Sequence, residues 1–118
     1  MIKENVVKDK SFAFSVRIIR LYQYLCREKK EYVLSKQLLR SGTAIGALIR
    51  EAEQAESKAD FIHKLAIALK EANETDYWID LLKATDYLEE KAFNSIKADV
   101  VELLKLLISI IKSSKENR

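Results

Sequence analysis

The sequence lacks proline altogether and has one cysteine and two glycines among its 118 residues. Because a proline ring breaks a helix from within, its absence favours long, uninterrupted helices. The lone thiol, Cys26, cannot form an internal disulfide, and its apolar helical neighbours are typical of a small buried hydrophobic residue. These absences exclude a disulfide-stabilised scaffold and predict an all-α protein of the reducing cytoplasm.

Long apolar runs are missing as well. The N-terminal segment MIKENVVKDK carries charges where a signal peptide needs an apolar core, and Glu102 and Lys105 interrupt the most apolar run, VVELLKLLISIIK. We therefore expect neither a signal peptide nor a contact with membrane. The net charge of +3 is small, so affinity for an acidic partner would have to come from clustered cations.

The apolar residues that are present recur at helical spacing. They predict four helices at about residues 11–29, 36–56, 58–87 and 90–114, within a single domain of residues 1–118. Helix 1 has the broadest apolar arc. One line of apolar residues on it is Phe12, Val16, Ile19 and Cys26, and a second line widens it: Phe14, Ile18, Leu21 and Leu25. Helix 1 should therefore face more than one partner.

Charge and capping residues predict where the helices begin and end. The charged run REKKE, residues 27–31, should end helix 1, and Ser35 is the predicted N-cap of helix 2. Ser57 followed by Asp60 resembles a capping box and opens helix 3. Because the links are short, neighbouring helices should run antiparallel, as in an up-down-up-down four-helix bundle.

On helices 2 and 3, a single line of residues at helical spacing is expected to face the core. The inward residues of helix 2 are Leu38, Ile45, Ile49 and Ala52, and those of helix 3 are Phe61, Leu65, Ala68, Ala72, Thr75, Ile79 and Leu82. Both glycines, Gly42 and Gly46, lie on one face of helix 2, where each costs roughly 1 kcal/mol relative to alanine. They predict a close helix crossing; the lesser alternative is a ligand that approaches bare backbone.

Helix 4 carries two apolar lines where one fills a bundle. The first is Phe93, Ile96, Val100, Leu103, Leu107 and Ile110, and the second is Val101, Leu104, Ile108 and Ile111. The second line favours an interface in a homo-oligomer over a merely broad core. Tyr77, Trp78 and Leu81 lie off the helix 3 line, so they are either extra core or anchors between subunits.

A basic face on helix 1 is the best candidate for binding. Arg17, Arg20, Tyr24 and Arg27 fall on one stripe, which could hold phosphates and stack a base. The alternative is a solvated face whose arginines pair with acids on a neighbouring helix. Helix 2 adds further candidate RNA-contacting cations: Lys36, Arg40 and Arg50.

Catalytic and metal-binding patterns are weak. Asp60 and His63 make one acid-x-x-His step, but a di-iron bundle needs such a step on two helices together with further glutamates. A surface ion pair is the simpler interpretation. With one histidine and no glycine-rich phosphate loop, we expect no catalytic residues, no metal and no cofactor, and we interpret the chain as not an enzyme.

Two stretches, QLLRSGTAIGALIREAEQAESKADFIHKLAIALKEANETDYWIDLL and KDKSFAFSVRIIRLYQYL, closely resemble the bacterial family of 23S ribosomal RNA intervening-sequence proteins. The resemblance implies a small antiparallel four-helix bundle that assembles as a ring-like homopentamer. It also implies association with RNA or the ribosome; a related basic pentamer is the accessory protein of diversity-generating retroelements.

The family places a polar stripe of Arg, Ser, Asn and Glu along helix 2. Those positions here are Arg40, Ala44, Leu48 and Glu51, so the ends match and the middle does not. If the family stripe binds a ligand or a second subunit, this chain has altered it.

These observations favour a non-enzymatic homo-oligomer that binds structured RNA or a ribonucleoprotein through basic helix faces. The alternative is an interaction scaffold that docks a protein such as a reverse transcriptase. A metal-dependent bundle enzyme is the least favoured hypothesis.

Overall fold

The computed structural model describes residues 5–117, and within that range it contains four helices and no strand. They are α1 (Asn5–Arg27), α2 (Leu34–Glu53), α3 (Lys58–Ala84) and α4 (Glu90–Glu116). Each helix packs against the next, and α4 also packs against α1, although this last contact is the least extensive. The links at residues 28–33, 54–57 and 85–89 are short relative to these helices, so consecutive helices run antiparallel. The predicted all-α class and the number of helices are confirmed.

The start of α1 differs most from the prediction. The helix begins at Asn5 rather than near residue 11, and the residues between include buried Val7. Lys8 and Lys10 make the early start possible because their ammonium groups turn outward to Glu53 of α2 and Glu102 of α4, at 3.2 and 3.1 Å. The ends of the other helices lie within about three residues of those predicted from spacing.

The inward faces of α2 and α3 follow the sequence pattern closely. All four predicted inward residues of α2 are buried. On α3 the line is buried from Leu65 to Leu82, but its first buried position is Ile62, and Phe61 is only partly covered. On α4 the buried residues are Ile96, Val100, Leu103 and Leu107.

Of the two apolar lines that make up the broad arc of α1, the second faces the core. Phe12, Val16 and Ile19 are 58%, 37% and 41% exposed, whereas Phe14 and Ile18 of the second line are buried. Both lines have helical spacing, so periodicity alone cannot rank them. The rotation of α1 is set by its contact with α2, in which the Ile18 side chain lies over the backbone of Gly42.

That close approach is centred on Gly42. A Cβ atom at Gly42 would lie 2.9 Å from Cγ1 and Cγ2 of Ile18, and a Cβ atom at Gly46 would lie 3.4 Å from Oγ of Ser15. Gly42 therefore faces a large side chain of α1, and Gly46 faces the small residues Ser11 and Ser15. The predicted close helix crossing is confirmed.

The N-terminus of α2 is capped by Glu31 and not by Ser35. The Glu31 carboxylate accepts hydrogen bonds from the backbone N–H groups of Val33, Leu34 and Ser35 at 3.1, 2.9 and 2.7 Å. The Ser35 hydroxyl is buried inside the first turn and donates to the Glu31 carbonyl at 2.8 Å. The prediction of Ser35 as N-cap was wrong because a longer acidic side chain reaches the same N–H groups from outside the helix.

The N-terminus of α3 agrees with the prediction. The Ser57 hydroxyl accepts from the Asp60 N–H at 3.0 Å, and the Asp60 carboxylate accepts from the N–H of Glu56 at 3.2 Å. This is the predicted capping box, except that the acid accepts from the N–H of the residue before the N-cap and not from that of the N-cap itself.

Candidate interaction surfaces

The basic stripe of α1 is divided by the contact with α4. The Arg17 guanidinium bonds to Oδ2 of Asp99 at 2.5 Å and to Oγ of Ser95 at 2.9 Å. Arg17 therefore follows the alternative interpretation, in which an arginine pairs with an acid on the neighbouring helix. Arg20 and Arg27 are exposed, and no carboxylate of the described chain lies within salt-bridge distance of either.

Arg40 is likewise occupied, at the edge between α2 and α3. Its guanidinium bonds to Glu71 at 3.2 Å and to the Glu74 carboxylate, which also accepts from Nε1 of Trp78 at 2.9 Å. These hydrogen bonds, first from Arg40 and then from Trp78, lower the pKa of Glu74. The Glu74 hydrogen bond in turn raises the pKa of Arg40. Arg40 and Glu74 therefore both stay ionised near neutral pH.

The stripe that resembles the family pattern lies along the same edge. Arg40 bonds to α3 at one end, and Glu51 accepts from Nζ of Lys64 of α3 at 3.1 Å at the other. Between them Ala44 and Leu48 are half-buried, and Leu48 packs against the core. Both polar residues of the stripe thus bond within the chain, and its apolar middle joins the packing between α2 and α3.

The remaining cations of the predicted set lie apart from one another. Arg50 is exposed, and its guanidinium carbon lies 5.7 Å from the centre of the Phe12 ring, a cation–π contact between α2 and α1. Lys36 is exposed in the first turn of α2. The structure therefore leaves Arg20, Arg27, Lys36 and Arg50 available, and separates them from Arg17 and Arg40.

Sequence reasoning missed the cations of the α1–α2 link. Lys29 and Lys30 lie in the run REKKE, which was interpreted only as a helix end, and both are exposed. Tyr32 and Val33 follow them at 53% and 72% exposure. The signal was in the sequence, namely two adjacent lysines, with an aromatic residue two positions after them, in a polar link.

An apolar face runs along α1 where it borders α2. It consists of Phe12, Val16 and Ile19, and we call it the α1 face. Beside it, a shallow groove of about 340 Å³ between α1 and α2 is floored by Gly46 and Ala47 and edged by Phe12, Ile19 and Arg50. Exposed apolar residues that are clustered in this way call for an explanation, whereas scattered ones do not.

The predicted interface residues of α3 and α4 divide into covered and exposed groups. Tyr77 is 57% exposed, with its ring centre 5.3 Å from that of Trp78, and Ile108 is 53% exposed. The other members of the set are half-buried: Trp78, Leu81, Val101, Leu104 and Ile111. Tyr77 and Ile108 therefore project from the bundle. Ile108 belongs to the second apolar line of α4, and we call that line the α3/α4 face. Close by, Lys97 of α4 bonds to Asp76 and Asp80 of α3 at 2.6 and 3.0 Å.

Groups that could hold a metal are absent from residues 5–117, as no three His, Cys, Asp or Glu residues cluster there. His63 is exposed, and Asp60 is used in the capping box. The two residues of the acid-x-x-His step therefore have no further ligands beside them.

A cavity of about 1,100 Å³ lies at the end of the bundle where α1 and α3 begin. Apolar side chains line it, including Val7, Phe61 and Ile110, together with hydroxyl groups such as those of Ser109 and Ser113. Its acidic lining residue, Glu53, is paired with Lys8. The hydroxyl groups have no histidine beside them in this lining to act as a base.

In the part of the chain that the structure describes, no helix is both long enough and apolar enough to cross a membrane.

Comparison with known proteins relates this fold to others. A family model described as "23S rRNA-intervening sequence protein" matches residues 3–109. A crystal structure from Bacteroides thetaiotaomicron, of a protein of unknown function from the S23 ribosomal protein family, is 64% identical in sequence. The similarity covers 94% of this chain and 99% of that chain, with a TM-score of 0.92. No curated protein matches the sequence.

Proposed function

The chain belongs to the 23S rRNA-intervening sequence protein family, and we propose that it is a non-enzymatic, cytoplasmic homo-oligomer that binds RNA through exposed cations. The observation that carries this proposal is the α1 face. Phe12, Val16 and Ile19 follow each other at helical spacing and are exposed in a single copy.

Self-association would remove this apolar surface from water. Three large apolar side chains within about 10 Å along one helix form a continuous strip rather than scattered exposed residues. Each Å² of apolar surface that a second copy covers contributes roughly 25 cal/mol to association before the entropic costs of binding. The groove beside Phe12 offers depth for a side chain of that copy.

A ring requires two different faces on each subunit. Each helix packs against the next, from α1 to α4. The α1/α2 side of the bundle therefore lies opposite its α3/α4 side. The α1 face and the α3/α4 face thus lie on opposite sides. A contact between two unlike faces is heterologous and closes into a ring when the rotation allows it. Five subunits is the number that the family resemblance implies.

Light scattering combined with size-exclusion chromatography tests the assembly. We expect the wild-type protein to have a mass near five times 13.6 kDa, and the variants Phe12→Asp and Ile108→Asp each to be monomeric. A 1:1 mixture of the two variants should form a dimer, because each supplies the face that the other has lost. Val33→Asp, at a 72% exposed position away from both faces, is the control and should retain the wild-type mass.

A monomeric wild-type protein at micromolar concentration would contradict self-association. If Ile108→Asp still assembles while Phe12→Asp does not, the α1 face pairs with itself and the ring is wrong.

RNA binding follows from the cations that no carboxylate of the described chain neutralises. In an assembly of several copies, Arg20, Arg27 and Lys36 would recur around the ring, which raises the local density of positive charge above that of one chain. Binding through phosphates depends steeply on salt. Filter binding to ribosomal RNA fragments at about 50 and 200 mM salt should show a large loss of affinity between the two. No binding at the lower concentration would contradict this part of the proposal.

A protein scaffold is the second candidate, and the exposed Tyr77 ring beside Trp78 favours it. Aromatic side chains of this kind are frequent anchors in protein interfaces. Pulldown from the native host distinguishes the candidates. Material sensitive to ribonuclease supports RNA as the partner, whereas a stoichiometric protein that survives ribonuclease and is lost in Tyr77→Ser supports the scaffold.

A further inference from the structure

The α1–α2 link and the helix ends beside it carry cations that form no ion pair with the described residues. Arg27, Lys29, Lys30 and Lys36 lie within ten residues of sequence, and all are exposed. None of them has a carboxylate of the described residues within 4.0 Å, whereas Arg17, Arg40 and Lys97 on the helix faces are all paired. Four cations of the described chain that form no ion pair are therefore close together in sequence at this link.

The acids of the same segment reduce this charge only in part. Glu31 is 7% exposed, and its carboxylate is turned inward to cap α2, so it does not face solvent. Glu28 is exposed and remains as one opposing charge. The other acids at this end of the bundle, Asp86, Glu89 and Glu90, belong to the link and helix start that join α3 to α4.

Exposed rings lie among these cations. Tyr32 is 53% exposed in the link, and Tyr24 is 37% exposed one turn before the end of α1. Aromatic side chains interleaved with cations are the means by which proteins bind unpaired nucleotides, because each ring stacks on a base while the cations contact the backbone. A duplex hides its bases and gives such rings nothing to stack on.

The link is held in one conformation. Its Glu31 N–H donates to the carbonyl of Leu25 at 3.0 Å, and the Glu31 side chain bonds to three N–H groups beyond it. Lys30 adopts a left-handed conformation with φ of 56°, which turns the chain between the two helices. A preformed loop loses little conformational entropy on binding.

We propose that the α1–α2 link, with Lys29, Lys30 and Tyr32 as its central residues, binds single-stranded RNA through phosphate contacts and base stacking. This inference rests on the proposed RNA-binding function and names its contact site and the form of RNA bound. The apolar helix faces then serve assembly, and the link at the end of each bundle is the principal contact with RNA.

Fluorescence anisotropy with labelled RNA tests the assignment. The probes are an unstructured RNA of about 20 nucleotides and a duplex of the same length, at about 50 and 200 mM salt. The main variant is Lys29→Ser/Lys30→Gly, in which glycine accepts the left-handed conformation without steric cost, so the fold should be retained. The matched control is Lys112→Ser/Lys115→Ser, which removes the same charge from the opposite end of the bundle.

The wild-type protein should bind the single strand at least tenfold more tightly than the duplex. The link variant should lose about tenfold in affinity, and its slope of log affinity against log salt should fall by about 1.4, since each lost single-strand phosphate contact accounts for about 0.7. Tyr32→Ser should weaken binding about fivefold or more, and Tyr32→Phe should not, because phenylalanine keeps the stacking ring. Light scattering and circular dichroism on each variant confirm assembly and helicity.

Three results would overturn the assignment while leaving the proposed function intact: equal loss in the link variant and the control, equal affinity of Tyr32→Ser and Tyr32→Phe, or a duplex bound as tightly as the single strand. A wild-type protein that binds neither probe at the lower salt concentration would instead contradict the proposed function, and the assignment with it.

Discussion

Gly42 of α2 and Ile18 of α1 are in contact so close that a single methyl group does not fit between them. The Cβ atom that Gly42 lacks would lie 2.9 Å from two carbons of the fully buried Ile18 side chain. Branched side chains have few rotamers, so Ile18 cannot turn away within a packed core. The distance between the first two helices therefore depends on this glycine.

Gly42→Ala should destabilise the protein by about 1–2 kcal/mol, because overpacking outweighs the gain in helix propensity. Gly46→Ala is the matched control. Its Cβ atom would have neighbours at 3.4–3.5 Å, so the helix propensity of alanine should stabilise the protein by up to about 1 kcal/mol. Urea unfolding at one fixed protein concentration measures both, since assembly makes stability depend on concentration. Equal effects of the two substitutions would show that the contact with Ile18 is not limiting.

Glu31→Gln should destabilise the protein by about 1–2 kcal/mol at neutral pH. Burial alone would raise the pKa of Glu31, but the backbone N–H groups of Leu34, Ser35 and Val33 outweigh it, so the pKa lies below its usual value. A carboxyl group with a lowered folded-state pKa stabilises the fold above its unfolded-state pKa, and this stabilisation disappears as the pH falls through the folded-state value. The difference between wild type and variant should therefore be constant near pH 7 and shrink below about pH 4.5. Thermal unfolding across this range, with Glu28→Gln as the exposed control, tests the assignment, and a difference independent of pH would contradict it.

Thr75 and Ser41 form a buried hydrogen bond between α3 and α2, with the Thr75 hydroxyl 2.8 Å from Oγ of Ser41. Thr75→Val keeps the shape but leaves the Ser41 hydroxyl without this partner, which should cost about 1–2 kcal/mol. The double variant Ser41→Ala/Thr75→Val should be more stable than the sum of the two single effects predicts, because no hydroxyl group is left unsatisfied. Strict additivity in a double-mutant cycle would mean that the bond contributes no coupling between the helices.

Trp78 reports on the charge cluster at the edge of α2 and α3. It is the one tryptophan of the chain, and its indole donates to Glu74, whose pKa is lowered first by Arg40 and then by Trp78 itself. Arg40→Met should move the acid titration of Trp78 fluorescence to higher pH, because Glu74 loses its cation. Lys64→Met, which removes a cation paired with Glu51 instead, should leave the midpoint unchanged. A midpoint that does not move in Arg40→Met would show that the fluorescence follows another group.

The sequence pattern predicted the buried face correctly where a helix has only one line of apolar residues. The inward residues of α2, the line of α3 from Leu65 onward and the Ser57 cap are local consequences of spacing and side-chain chemistry. The sequence also placed Tyr77 and Ile108 in the predicted interface set. It did not indicate which members of that set would be covered.

The structural features that the sequence did not predict depend on contacts between residues that are distant along the chain. Arg17 is bonded to Asp99 of α4 and Arg40 to Glu71 of α3, and no local rule distinguishes these arginines from Arg20, which is unpaired among the described residues. The rotation of α1 is undetermined for the same reason, since either apolar line could face the core until Gly42 is placed opposite Ile18. The cap of α2 was missed because Glu31 acts from four residues upstream.

The contact between α1 and α4 closes the bundle, and it is less extensive than the other three. Two surface ion pairs, Arg17–Asp99 and Lys10–Glu102, span it, and surface pairs weaken in salt. Local opening should therefore begin along this edge, with the first and last helices separating while the central pair stays together. Hydrogen–deuterium exchange would detect such opening as early labelling of α1 and α4 at high ionic strength. The α1–α4 edge is thus the expected site of local unfolding.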